Sequence, residues 1–162
     1  MLKPYRKRIF WTLTTVSIMA VIFALSAQNG TESEQMSGGM RFGLEYVIIK
    51  IFGEGKVRDD IIANLEFIIR KAAHIFIYLC LGFSAAAAAD AYGARRGLLI
   101  IAVAFCMFYA ATDEAHQYFI EGRSSELRDV LIDTAGSAAG AYAFILSRKR
   151  TAVTACPPRG CS

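Results

Sequence analysis

A chain of 162 residues in which 55% are hydrophobic carries more apolar side chains than one small water-soluble core can bury, so the surplus must face something other than water. The net charge of +4 is not arranged as a basic stripe with interleaved aromatics, and nucleic acid is excluded as an expected partner. Cys80 and Cys106 lie inside apolar runs, Cys156 and Cys161 follow the last one, and none of this spacing resembles a zinc finger or a disulfide framework.

Lys3, Arg6, Lys7 and Arg8 precede an apolar run over 9–27, which as a helix covers roughly 28 Å, close to the roughly 30 Å hydrocarbon core of a bilayer. Ala24 and Ser26 would suit a signal cleavage site, but the run is longer than a signal core and an uncleaved anchor is expected. Residues 28–40, rich in Gly, Ser and Glu, read as a flexible connector. Over 42–52 Glu45 and Lys50 interrupt a dense apolar pattern, which fits a short helix at the membrane surface. Asp59 or Asp60 then caps an amphipathic helix whose apolar side is Ile61, Ile62, Leu65, Ile68 and Ile69. Three further runs, 72–89, 98–112 and 130–147, are long enough or nearly long enough to cross.

The expected fold is therefore all-α: a four-transmembrane-helix bundle with an extracytoplasmic amphipathic segment between helices 1 and 2. No internal repeat is visible. The segments that fall on one side hold Lys3, Arg6, Lys7, Arg8, Arg95, Arg96, Arg148, Lys149, Arg150 and Arg159 against the single acid Asp90. That asymmetry predicts a multi-pass protein of the inner (cytoplasmic) membrane with both termini cytoplasmic.

Polar side chains gather at the opposite level. The third run is short, roughly 22 Å, so filling the hydrocarbon draws Asp113 and Glu114 to the boundary. On a continuing helix Asp113, His116 and Gln117 share a face, with Glu114 about a quarter turn away. Arg70, His74 and Tyr78 follow one another at i+4 in the second span, beside Lys71, and Asp129, Asp133, Gly136 and Gly140 make one stripe in the fourth. Ionisable groups at such depth cost about 3 kcal/mol each on insertion scales and are either paired or used. Two readings stay open: charge neutralisation that holds the bundle together, or a polar pocket open to the outer side. In the second, His74, Asp113, Glu114 and His116 are the candidate acid and base groups. Arg70, Lys71, Gln117, Arg123, Asp129 and Asp133 are the candidate ligand contacts, with Arg123 after Gly122 suited to clamp a phosphate or carboxylate. Glu126 and Arg128 read as solvated loop charges. Ser26 either joins the pocket or merely ends its helix. No paired-histidine zinc motif occurs, so neither a metal nor another cofactor is expected.

Ser26 with Gln28, Arg70-Lys71-x-x-His74-x-x-x-Tyr78, Asp113-Glu114-x-His116-Gln117-x-Phe119, Gly122-Arg123, Asp129 and Gly136-x-x-x-Gly140 together resemble the VanZ-like family of bacterial membrane proteins. Glu121 stands where that family commonly has proline, and Asp133 where it commonly has asparagine. The resemblance covers roughly 26–140; a VanZ-like membrane domain is expected over 1–150 and a flexible tail over 151–162. It implies a cell-envelope setting, since the family's namesake is associated with resistance to the glycopeptide teicoplanin. The expected partners are membrane lipids, with a lipid-linked envelope precursor or an envelope enzyme as the specific one.

Overall fold

The computed structural model describes residues 4–27, 43–51, 60–62, 64–120 and 126–154. Four long helices carry the fold: α1 (Pro4–Ser26), α2 (Leu65–Ala91), α3 (Leu98–Gln117) and α4 (Leu127–Thr154). Pro4 opens α1, where its missing N–H costs nothing. The Ala85 to Ala89 run continues α2 with the residue of highest helix propensity. α2 stops where Gly93 enters the left-handed region at φ 96°, and Ala94 N–H closes back on Ala89 O at 3.0 Å. Gly97, at φ 67°, then starts α3, so two glycines turn the chain back into the bundle.

Each helix runs past the apolar stretch that predicts it. Leu65, Ile68 and Ile69, expected on the apolar side of an amphipathic helix that enters the second span, form the first turns of α2 itself. The break lies at Asn64, which caps α2 and whose amide Nδ2 donates to Asp60 O at 2.8 Å. α3 continues through Gln117, so the polar residues after 112 are helical, as a chain needing another turn to fill the bilayer requires. α4 reaches Thr154, into the segment expected as tail, because no glycine or proline intervenes before Pro157. Residues 43–51 are helical where the surface helix is expected. The connector over 28–40 lies outside the described residues.

α2 and α4 form the central seam, and glycines set its width. A Cβ on Gly82 would overlap Ser137 O, one on Gly140 would overlap Leu79 O, and one on Gly136 would lie 3.0 Å from Ile75 O. Backbone therefore touches backbone, the arrangement small residues permit between helices in lipid. α1 packs chiefly on α2 and only lightly on α3, and α3 packs on α4 and α2. Phe83 and Phe144 meet edge to face at 5.4 Å inside the seam.

The polarity is inverted relative to a soluble protein. Ile100, Phe108, Phe76 and Leu13 point outward, whereas Asp113, Glu114, Gln117, Asp133, Ser84 and Ser137 are buried. All four helices are long and apolar enough to cross a membrane. Outward apolar surface with inward polar groups is the pattern of a bundle solvated by hydrocarbon, and the chain is a multi-pass membrane protein.

One end of the bundle is fastened around Asp90. Its carboxylate pairs with Arg148 of α4 at 2.8 Å and Lys7 of α1 at 3.7 Å. Arg8 Nε donates to Ala91 O at 3.0 Å, and its guanidinium lies 5.4 Å from the Tyr92 ring centroid.

Candidate functional site

The other end collects the last turn of α1, the first turns of α2, the last turn of α3 and the first turns of α4. Ser26 closes α1, and its hydroxyl donates to Asp113 Oδ2 across the bundle at 2.9 Å. Gln117 Nε2 reaches the same oxygen at 3.1 Å and Glu114 Oε1 at 3.4 Å. The Glu126 backbone N–H donates to Glu114 Oε2 at 3.2 Å, which ties the start of α4 to the end of α3. Ser26, Asp113, Glu114 and Gln117 are all buried.

The buried arc of α3 explains which residues meet. Leu98, Ala102, Cys106 and Ala110 are buried at steps of four, and that ladder extends to Glu114, flanked by Asp113 and Gln117. At about 100° per residue these three span an arc of about 100°, and His116 lies about 100° from its middle. The expected grouping of Asp113, His116 and Gln117 is thus replaced by Asp113, Glu114 and Gln117. His116 stacks instead on Phe23 of α1 at 4.6 Å, with its Nε2 buried and unpartnered. No hydrogen bond joins it to Asp113 or Glu114, so the acid and base pair read from the sequence is not assembled here. The stripe of small residues was the signal for the correct face.

On the α2 side, Lys71 contacts Asp129 as an ion pair, and His74 Nδ1 lies 3.6 Å from Asp133 Oδ2. Asp129 and Asp133 stand one turn apart, directly above Gly136 and Gly140 in the α4 stripe. The backbone contact made by those glycines is what brings α2 near enough for both pairs to form. Asp133 is 2% exposed and Asp129 8%, so both acids sit in the helix interface.

Between these groups stands Tyr78, fully buried, its ring 6.3 Å from His74 and 6.4 Å from Tyr109. Among the described residues its hydroxyl has no hydrogen-bond partner, and neither has Asp113 Oδ1. Leaving such a group unsatisfied in the interior costs about 1–3 kcal/mol. Tyr109, which the sequence reading did not single out, donates to Met19 O at 2.6 Å. Its hydroxyl one turn before Asp113 in an apolar run is the feature that could have marked it.

Toward solvent, Arg128 Nη2 binds Glu126 Oε2 at 2.6 Å, and the guanidinium holds the exposed Glu126 carboxyl below the usual range. Both are exposed as expected, but they pair with each other, and Arg128 stands in the first turn of α4 rather than in a loop. The Arg70 side chain and the whole of Arg123 lie outside the described residues. Among the described residues no three His, Cys, Asp or Glu side chains converge with metal-binding spacing.

The arrangement offers acceptor oxygens on Asp113 and Glu114, a hydroxyl on Tyr78, and an imidazole beside Asp133. Such a set can hold hydroxyl or amide donors and exchange protons with them. No curated protein and no solved structure matches the chain. The family model described as VanZ/LLP1 matches residues 11–148, from the first turns of α1 almost to the end of α4. The chain belongs to the VanZ/LLP1 family.

Proposed function

We propose that the polar end of the bundle is an outward-facing site that binds, or acts on, a cell-envelope component that is both anionic and rich in hydrogen-bond donors, such as a lipid-linked wall precursor. The observation that carries this reading is the pair of buried, unpartnered atoms Asp113 Oδ1 and Tyr78 Oη beside the acceptors of Glu114. Groups that serve packing alone are paired, whereas these leave hydrogen-bonding capacity inside a helix bundle. Sugar hydroxyls or peptide N–H groups would engage the carboxylates and Gln117. Lys71, together with Arg70 and Arg123 read from the sequence, would hold the phosphate. His74 and Asp133 would orient the ligand or carry a proton, and His116 would act from the α1 side of the same end. The excess of Lys and Arg at the Asp90 end supports a cytoplasmic placement of both termini in the inner membrane. A part in glycopeptide resistance follows only if the ligand is a wall precursor.

Lipid mass spectrometry on protein gently extracted from its own membrane tests the proposal. The wild type should retain a phosphorylated, sugar- or peptide-bearing lipid, and Asp113→Asn should lose it about tenfold, the equivalent of one charge-assisted hydrogen bond. Identical lipid profiles for the two proteins would reject it.

A second reading, a non-catalytic structural or interaction protein that meets an envelope enzyme, is favoured by the Lys71–Asp129 and His74–Asp133 pairs above the glycine seam. Under it, Asp113→Asn lowers folded yield and changes no lipid.

A further inference from the structure

At the Asp90 end, the start of α3 and the end of α4 enclose a crevice of about 560 Å³ whose walls have two characters. Leu99, Ile100 and Ile145 line its apolar part, and Arg95, Arg148 and Lys149 line its rim. Arg148 is engaged by Asp90, and Lys7 supplies that acid with a second cation. Arg95 and Lys149 are exposed and have no acid partner among the described residues, so two positive charges stand beside the crevice. Gly97 caps α3 without a side-chain hydrogen bond, which leaves the first N–H groups of that helix as further donors at the same rim.

The depth of the crevice identifies its occupant. Leu98 begins the membrane-crossing stretch of α3, so the rim lies at headgroup level and the apolar wall continues into the hydrocarbon. A free anion would satisfy the rim and leave the wall uncovered. A phosphodiester headgroup with its acyl chains satisfies both, and basic recesses between membrane helices are a recurring form of such recognition. We infer that this crevice is a binding site for an anionic phospholipid of the leaflet at the Asp90 end, with Arg95 and Lys149 on the phosphate and Leu99, Ile100 and Ile145 along an acyl chain. The site is separate from the Asp113 cluster and does not depend on its function.

Native mass spectrometry of the full chain, released from nanodiscs containing phosphatidylcholine and phosphatidylglycerol, reads the proposal directly. Phosphatidylglycerol adducts should outnumber phosphatidylcholine adducts. Arg95→Gln and Lys149→Gln should each weaken them by roughly fivefold, with unchanged thermal unfolding because both side chains are exposed and unpaired. Arg95→Lys keeps the charge and should retain the adduct. Arg6→Gln removes a cation of the same end that does not line the crevice, and should leave the adduct intact. Equal binding of the two lipids, an equal loss with Arg6→Gln, or displacement by excess inorganic phosphate would each overturn the assignment.

Discussion

The two ends of the bundle hold acids in opposite ways. Asp90 is surrounded by charge, each of its oxygens facing a cation, Arg148 or Lys7, on a neighbouring helix. Asp113 is held by a hydroxyl and an amide, and one of its oxygens stays buried without a partner. The first arrangement fastens helices and the second keeps capacity in reserve. A stability measurement and a binding measurement should therefore respond to the two acids in opposite senses.

The largest effect should come from the seam on which both ends rely. Gly140→Leu drives a side chain into Leu79 O, and folded yield on size exclusion should collapse, an overpacking cost of about 3 kcal/mol or more. Retention of full yield would mean that α2 and α4 do not touch as described. Lys71→Met strands Asp129 in the helix interface and should cost about 2 kcal/mol in unfolding experiments, a figure already reduced for the partial exposure of the lysine. Adding Asp129→Asn should recover most of that loss, and failure to do so would show that the two residues are not coupled.

The direct comparison is smaller in energy and more informative. Asp90→Asn should lower stability by about 1 kcal/mol and leave retained envelope lipid unchanged, while Asp113→Asn should alter stability little and deplete that lipid. Crossed results would erase the distinction between the ends. The smallest effect is expected at the rim. Because Arg128 lowers the Glu126 pKa in the folded protein, their pairing contributes above the ordinary carboxylate pKa and fades as pH falls through the lowered value. Glu126→Gln should unfold slightly more easily than wild type at neutral pH, and the two unfolding curves should converge in acid, where the wild-type pairing is already lost.

How much of this could be read from the residues depended on which physical quantity was asked for. The spans were legible because 9–27, 72–89, 98–112 and 130–147 are apolar whatever they pack against, and only their ends moved. The Asp129, Asp133, Gly136 and Gly140 stripe was legible because charge and small size repeat at one helical period. The exchange of His116 for Glu114 was not. Helical spacing fixes angles within α3, but the rotation of α3 about its axis is set by Ala102, Cys106 and Ala110 packing inward, a tertiary choice. Ser26 was undecided for the same reason: nothing in α1 says that Asp113 lies opposite its last turn.

The scarcity of contact between α1 and α3 has a bearing on traffic within the bilayer. That wall is drawn together by Ser26 on Asp113, Tyr109 on Met19 O and the stack of His116 on Phe23, with few other contacts between the two helices. A hydrogen bond can be handed over to an incoming molecule with small net loss, whereas interlocked side chains must be pried apart. Were the proposed lipid-borne ligand held at the carboxylates, this flank is where it would pass sideways from the leaflet with the least side-chain packing to displace.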